Sequence, residues 1–307
     1  MRRGFALGET ILDIIFKNNV AVASSPGGAM LNTSVSLGRA GVSVYLISEF
    51  GRDHTGDVIH SFLAKNHVKT NYIYRYAEEK TGIALAYLDD QNESHYEFYK
   101  KYPDKRLNIE LPNFSEKDIL IFGSFYSVEK VLRPTIIKIL KKAKKAGALL
   151  IYDPNMRSPH QKDIPHIIDN IEENFQYADI IRGSHEDFQT IYGLDNAEAV
   201  FNKIHPDKNI IYTHSRHGIW LRANNEIRFY KTDQIQTKST IGAGDSFNAG
   251  LIYALMKHIK SKADMLHLRE NIWENIIITA SSFAADVCKS YENYVSMEFA
   301  EKLKSSS

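Results

Sequence analysis

The chain has 307 residues, 43% of them hydrophobic and 24% charged, the proportions of a globular protein with enough apolar material for a sizeable core. Lys and Arg number 38 against 37 Asp and Glu, a formal charge of +1, which argues against a nucleic-acid coat protein or a basic membrane binder. The one cysteine, Cys288, excludes an internal disulfide framework and any Cys-rich metal site.

Met1-Arg2-Arg3 leads into a short apolar stretch broken at Glu9 and Asp13, too short for a signal segment or a membrane span. A cytoplasmic protein is expected. Short strand-like runs then alternate with longer helical ones. The pattern predicts strands at 5–8, 43–47, 119–122, 148–152, 179–181 and 209–213, and helices at 29–40, 56–66, 130–146, 245–258 and 271–289. Such alternation implies βα units and an α/β fold with a mostly parallel central sheet. Gly41 and Gly147 follow their helices as left-handed caps would. Cys288 falls in the apolar pattern of the last helix, the place of a packed core residue rather than a nucleophile.

Residues 70–99 break the alternation. Ile73-Tyr74, Ile83 to Leu88 and Tyr96 to Tyr99 read as strands, with a turn at Asp89-Asp90-Gln91-Asn92 and no helix between them. This stretch is either a small sheet placed over a site or an edge extension of the main sheet. Ile219-Trp220-Leu221 and Ile227-Arg228-Phe229 around Asn224-Asn225 read as a hairpin. The basic run Lys138 to Lys145 has Ile139, Leu140 and Ala143 on its other side, the pattern of a solvated helix face.

The segment Thr240-Ile241-Gly242-Ala243-Gly244-Asp245 opens a helix with small residues. Unsatisfied amides and the positive end of the helix dipole then meet at one point, an anion cradle. Asp245 would repel a bound phosphate. It fits a base that takes a proton from a hydroxyl attacking that phosphate, although a Gly-rich turn with Asp245 as a helix cap gives the same local pattern. The third Gly of a dinucleotide fingerprint and the Gly-Lys-Ser/Thr of a P-loop are both missing.

A second Gly pair, Pro26-Gly27-Gly28, precedes another apolar helix with Asn32 in its first turn. The Asn amide both donates and accepts, as a sugar hydroxyl requires. Asp13 is a sugar-hydroxyl acceptor or a turn residue. Asp153-Pro154-Asn155-Met156-Arg157 ends a strand with polar groups at the carboxyl edge of a parallel sheet, where such folds bind ligands. Arg157 there either holds sugar or phosphate oxygens or pairs with Asp153. His214 and His217 have no acidic or Cys partner that would suggest a metal.

Gly28, Asn32 and Gly41, then Gly51-x-Asp53-x-x-Gly56, then Thr240 to Gly250 resemble, in order, the two signatures of the ribokinase-like (PfkB) carbohydrate kinases. The resemblance spans nearly the whole chain. It implies one three-layer α/β kinase domain over residues 1–307, with a small β-sheet lid at about 13–20 and 70–100. It also implies transfer of the ATP γ-phosphate to a sugar hydroxyl with Mg²⁺. By the resemblance Asp245 is the base, and the amides of Gly242, Ala243 and Gly244 hold the moving phosphoryl group. Asp13, Gly28, Asn32, Phe98 and Arg157 bind the sugar; Ser184, Thr213, Ser215 and Gly218 bind the nucleotide with Gly242 and Gly244. Phe98-Tyr99-Lys100, Phe122-Gly123-Ser124 and the Asp153 to Arg157 segment are most similar to fructokinases. Fructose is therefore the first substrate expected, ahead of ribose, 2-keto-3-deoxygluconate or a nucleoside.

Three positions depart from the family pattern. Ser184 stands where Asn is usual in Asn-x-x-Glu, leaving Glu186 and Asp187 as candidates to hold Mg²⁺ through water. Thr213-His214-Ser215 replaces Thr-x-Gly, and Ser239 replaces the Asp that helps hold a monovalent cation, which puts K⁺ dependence in doubt. A non-catalytic sugar or nucleotide sensor on the same fold is the second reading, against which the retained Asp245 argues. The expected partners are a sugar and ATP, with no nucleic acid and no membrane. Ile83, Leu85 and Tyr87 mark a lid face that either pairs two subunits as a homodimer or closes over substrate.

Overall fold

The computed structural model describes residues 2–88, 94–156 and 158–305. In chain order the elements are β1 (Gly4–Leu7), β2 (Ile11–Lys17), β3 (Val20–Gly27), α1 (Ala29–Arg39), β4 (Val44–Gly51), α2 (His54–Lys65), β5 (Val68–Tyr76), β6 (Ile83–Leu88), β7 (Ser94–Tyr99), β8 (Ile119–Gly123), α3 (Arg133–Lys145), β9 (Leu149–Asp153), α4 (Ile164–Tyr177), β10 (Ile180–Ser184), α5 (His185–Tyr192), α6 (Ala197–Lys203), β11 (Asn209–Thr213), β12 (Ile219–Ala223), β13 (Glu226–Tyr230), α7 (Ala243–His258), α8 (Glu270–Val287) and α9 (Met297–Ser305).

A nine-stranded sheet runs β13-β12-β11-β10-β9-β8-β1-β4-β5. The strands from β11 to β5 are parallel neighbours, and the β12–β13 hairpin adds an antiparallel edge. Alternate residues of the central strands enter two separate cores. Ala6, Leu46, Ile121, Ile151 and Ile211 join one, and Phe5, Ile47, Leu120, Leu150 and Ile210 join the other. A sheet buried on both faces must be apolar in both phases, which is why these strands read as continuous hydrophobic runs. Helices α7 and α8 sit in the first core, with Phe247, Leu251, Leu255, Ile276 and Phe283 buried there. The backbones of α7 and α8 come close at Gly250, where an added Cβ would stand 2.7 Å from the Ala280 Cα.

The chain runs outward from β1 through β4 to β5, and later from β8 in the other direction, so the order reverses between β1 and β8. Open α/β sheets bind ligands beyond the carboxyl ends of strands at such a point. A smaller four-stranded sheet, β3-β2-β6-β7, is built from segments that leave the large sheet near its carboxyl edge. Its hairpin turns at Asn18 and Asn19, both at positive φ (51° and 60°), as a two-residue hairpin turn requires. Asp13 is therefore a mid-strand residue of β2 and not part of a turn.

One expectation is corrected here. Residues 70–76 do not belong to the small sheet: Ile73 and Tyr74 lie in β5, the parallel edge strand beside β4, with Ser48 opposite Ile73. Both readings of the 70–99 stretch thus hold in part, because the chain changes sheets between Tyr76 and Ile83. The expected turn at 89–92 lies outside the described residues. Among the described residues no helix is long and apolar enough to cross a membrane.

Candidate active site

The carboxyl ends of β9, β10 and β11 and the start of α7 line a cleft of about 1220 Å³. Gly242 stands just before α7 at φ 78°, and a Cβ on it would come 2.4 Å from the Asn293 carbonyl oxygen. Glycine is the residue that meets both demands at once. Gly242, Ala243, Gly244 and Asp245 all line the cleft. The Ala243 N–H is already taken by the Thr240 carbonyl at 3.2 Å. This corrects the expectation of three free amides. Gly242 and Gly244 keep N–H groups with no protein acceptor among the described residues, in the first turn where the helix dipole favours an anion.

Asp245 is 7% exposed, and its Oδ2 accepts from the Asn32 side-chain amide at 2.9 Å. The Thr33 hydroxyl donates to the Asp245 backbone carbonyl at 3.0 Å. Helix α1 is thereby tied to α7, and the two signature segments, more than 200 residues apart in sequence, meet at one carboxylate. Asn32 is 5% exposed and its Oδ1 has no partner among the described residues. A buried carbonyl in that state has an unmet need for a donor such as a hydroxyl.

Gly28 precedes α1 at φ 122°, and a Cβ there would lie 2.2 Å from the Glu9 carbonyl oxygen. At Gly27 a Cβ would strike the Asp13 carboxylate. Asp13 thus lies against the Gly pair that opens the helix bearing Asn32. Register extends this face across the small sheet. Asp13 is opposite Ser25 on one side and Ala84 on the other, and Ala84 is opposite Phe98. Residues opposite one another point to the same side of a sheet, so Asp13 and the 55% exposed ring of Phe98 share one face. Lys100 lies over the Phe98 ring at 4.8 Å and pairs with Glu9 at 2.9 Å.

The floor of the cleft holds a buried charged group that the motifs did not announce. Arg182, in β10, donates to Asp153 Oδ2 at 3.1 Å and to the Thr213 hydroxyl at 3.0 Å. Asn248, one turn beyond Asp245, donates to the same Asp153 oxygen, and Asn155 N–H caps the other at 3.1 Å. Asp153 pairs with Arg182, and Arg157 lies outside the described residues. Two signals were available for this group. A charged residue inside the apolar run Ile180-Ile181-Arg182 needs a buried partner, and Asn248 falls three residues after Asp245 on the same helix face.

Ser184 caps α5: its hydroxyl accepts from Asp187 N–H at 3.1 Å, and Asp187 Oδ2 accepts from Ser184 N–H at 2.6 Å. The other Asp187 oxygen accepts from Met156 N–H at 2.7 Å. Burial, with the nearby charge of Asp153, pushes the Asp187 carboxyl up to about 6, against the opposing pull of Arg182 and the Ser184 donors. Glu186 is exposed on the cleft wall. Thr213 and Ser215 line the cleft, and Ser215 adopts φ 45°, the left-handed backbone that explains why Gly is usual there. Gly218 is packed against the Phe229 ring instead, where a Cβ would stand 2.3 Å away. Ser239 accepts from Ile241 N–H at 3.2 Å. Cys288 is buried as expected, and it also lines the cleft.

The sequence pattern of pfkB family carbohydrate kinases matches residues 5–298. A fructokinase of Vibrio alginolyticus is 25% identical over 267 residues, covering 84% of this chain and 85% of that protein. A probable fructokinase-2 of Arabidopsis thaliana is 27% identical over 285 residues, covering 87% and 84%. Among solved structures, the fructokinase from Vibrio cholerae O395 bound to fructose, ADP and calcium matches with a TM-score of 0.82 at 18% identity, covering 99% of both chains. The aminoimidazole riboside kinase from Salmonella enterica, complexed with aminoimidazole riboside and an ATP analogue, matches with the same TM-score of 0.82 at 18% identity, again over 99% of both. These structures share the three-layer ribokinase-like fold, with its mostly parallel central sheet and smaller second sheet. With the match running through both signature segments and nearly the full length between them, the chain belongs to the pfkB family of carbohydrate kinases.

Proposed function

We propose that this chain transfers the γ-phosphate of ATP to a hydroxyl of a small sugar, with fructose as the first candidate. The observation that carries this reading is the Asp245 carboxylate, held by Asn32 at the start of α7 beside the open amides of Gly242 and Gly244. An acceptor for a proton and donors for a phosphoryl group are adjacent. Phosphoryl transfer needs little more from a protein than such positioning and charge stabilisation. The named fructokinases among the relatives support the choice of fructose.

In this mechanism Asp13, Gly28 and Asn32 hold the sugar, and the small sheet with Phe98 acts as a lid that excludes water. Asp245 takes the proton from the attacking hydroxyl as that oxygen bonds to the γ-phosphorus. The bond from phosphorus to the ADP oxygen breaks, and the amides of Gly242 and Gly244 hold the charge on the transferring group. Ser184, Thr213 and Ser215 border the nucleotide.

The donors present fit Mg²⁺ carried by the nucleotide. Among the described residues no group of three or more His, Cys, Asp and Glu is placed to hold a metal ion. Burial first, and the neighbouring Asp153 charge second, raise the Asp187 carboxyl, with Arg182 pulling the other way. Glu186 faces the cleft, and Asp187, its oxygens already engaged, would act through water. When bound, the ion neutralises phosphate charge. The residues do not fit a charged ligand for K⁺ at position 239, because Ser239 brings a neutral hydroxyl already bonded to Ile241.

Ile83, Leu85 and Tyr87 alternate with Ala84 and Ala86 and so lie on the face opposite Asp13 and Phe98. If the Asp13 face covers sugar, this apolar face is left for a second copy, and a homodimer through the lids is expected. Sedimentation of the wild type and of Leu85→Asp tests it: a dimer that the substitution dissociates supports the pairing, and a wild-type monomer rejects it.

The test of the substrate is coupled ADP release across fructose, ribose, 2-keto-3-deoxygluconate and a nucleoside, with Mg²⁺ and with and without K⁺. The highest kcat/KM is expected for fructose, without a K⁺ requirement. No turnover of fructose alongside turnover of another sugar would reject the substrate and keep the kinase.

A further inference from the structure

The cleft that carries Gly242 and Gly244 is also lined by His185, His214 and His217. Register explains the grouping. Ser184 is opposite Thr213 across β10 and β11, so the next residues, His185 and His214, leave the sheet side by side. Their rings stack with centroids 4.1 Å apart and planes 8° from parallel, and His217 adds a tilted ring 4.6 Å from His214. The Tyr212 hydroxyl and His185 Nδ1 share a hydrogen bond at 2.8 Å, which fixes the first ring of the stack. The rings of His214 and His217 make no hydrogen bond among the described residues.

A polyphosphate entering this cleft meets few cations. The carboxylates lining it are Glu186, Asp187, Asp233, Asp245 and Glu274, against Arg182, Arg216 and Lys231. Arg182 is already held by Asp153 and Thr213. Phosphate oxygens that a divalent ion and the two amides do not reach need further donors, and an imidazole N–H supplies one without adding a charge. Burial and the neighbouring imidazoles hold His214 below the ordinary imidazole range, in its neutral form near pH 7.

We infer that His214 and His217, with His185 fixing the orientation of the stack, donate ring N–H groups to the non-transferred phosphates of the nucleotide. This rests on the nucleotide site proposed for the cleft. It assigns to the imidazoles the affinity for the phosphate tail, separately from contacts to the base.

Calorimetric titration with adenosine, ADP and inorganic tripolyphosphate, all with Mg²⁺, separates the two parts of the ligand. His214→Leu is expected to weaken ADP and tripolyphosphate binding about tenfold or more, the cost of a lost hydrogen bond to a charged group. Adenosine binding should stay within about twofold, which also reports an intact fold. His214→Gln, which keeps an N–H donor, should recover most of the loss, and His217→Leu should show the same selectivity. ADP and tripolyphosphate affinities unchanged in both Leu variants, or equal losses for adenosine and ADP, would overturn the inference while leaving the nucleotide site in place. A wild type that binds none of the three ligands would overturn both.

Discussion

Asp245→Asn lowers turnover by roughly 10²–10⁴-fold, about 3–5 kcal/mol of transition-state stabilisation, the usual contribution of a positioned general base. The amide has nearly the shape of the carboxylate, and its carbonyl oxygen can still accept from the Asn32 amide that now lies 2.9 Å from Asp245. The bond from Thr33 goes to the backbone carbonyl and is untouched. Folding and sugar affinity should therefore change little, and the loss should appear in kcat rather than in the KM for sugar. Steady-state kinetics on the purified variant provide the check. Turnover within a few-fold of wild type would remove Asp245 from the base role.

The second large effect concerns stability. Asp153→Ala is expected to cost about 3–5 kcal/mol, the range for removing one partner of a buried ion pair. Asp153 is 1% exposed and Arg182 7%, so the guanidinium is left with little access to water in place of the lost carboxylate. Asn248 and the Asn155 N–H lose their acceptor in the same step, and each unsatisfied buried donor adds to the penalty. Denaturant unfolding of the two proteins measures this directly. Arg182→Met combined with Asp153→Ala should recover part of the loss, because an apolar pair leaves no uncompensated charge. A single variant as stable as the wild type would mean that solvent reaches Arg182 and that the Asp153–Arg182 pair does not hold the floor of the cleft together.

Much of this architecture was legible because parallel strands buried on both faces leave uninterrupted apolar runs, such as Ile119 to Phe122 and Ala148 to Tyr152. The β5 strand was not, for a physical reason. Most of its residues are half-buried or exposed, as an edge strand's are, and so are most of those in β2 and β3 of the small sheet. Only a short link, Ala77 to Gly82, separates the two, and nothing in its composition says that the chain changes sheets there. The β2–β3 hairpin shows the opposite case. Asn18-Asn19 carries the same turn signal as Asn224-Asn225, and both pairs adopt positive φ.

At the site, motif spacing located the ends of the helices but not what lies beneath them. Gly28, Asn32 and Asp245 could be singled out, and the structure joins Asn32 to Asp245. The Asp153–Arg182–Thr213 group required three strands to be set side by side, which local pattern does not specify. Ser184 and Asp187 looked like a weakened metal motif. They form a capping box that also binds Met156 N–H, so their first task is to hold the cleft's own loop.

Phosphorus NMR of the wild-type protein with fructose, ATP and Mg²⁺ tests the central claim most directly. The account predicts a new sugar phosphomonoester signal that grows in a one-to-one ratio with ADP. ATP left intact, or ADP accompanied only by inorganic phosphate, across fructose and the other candidate sugars would contradict it.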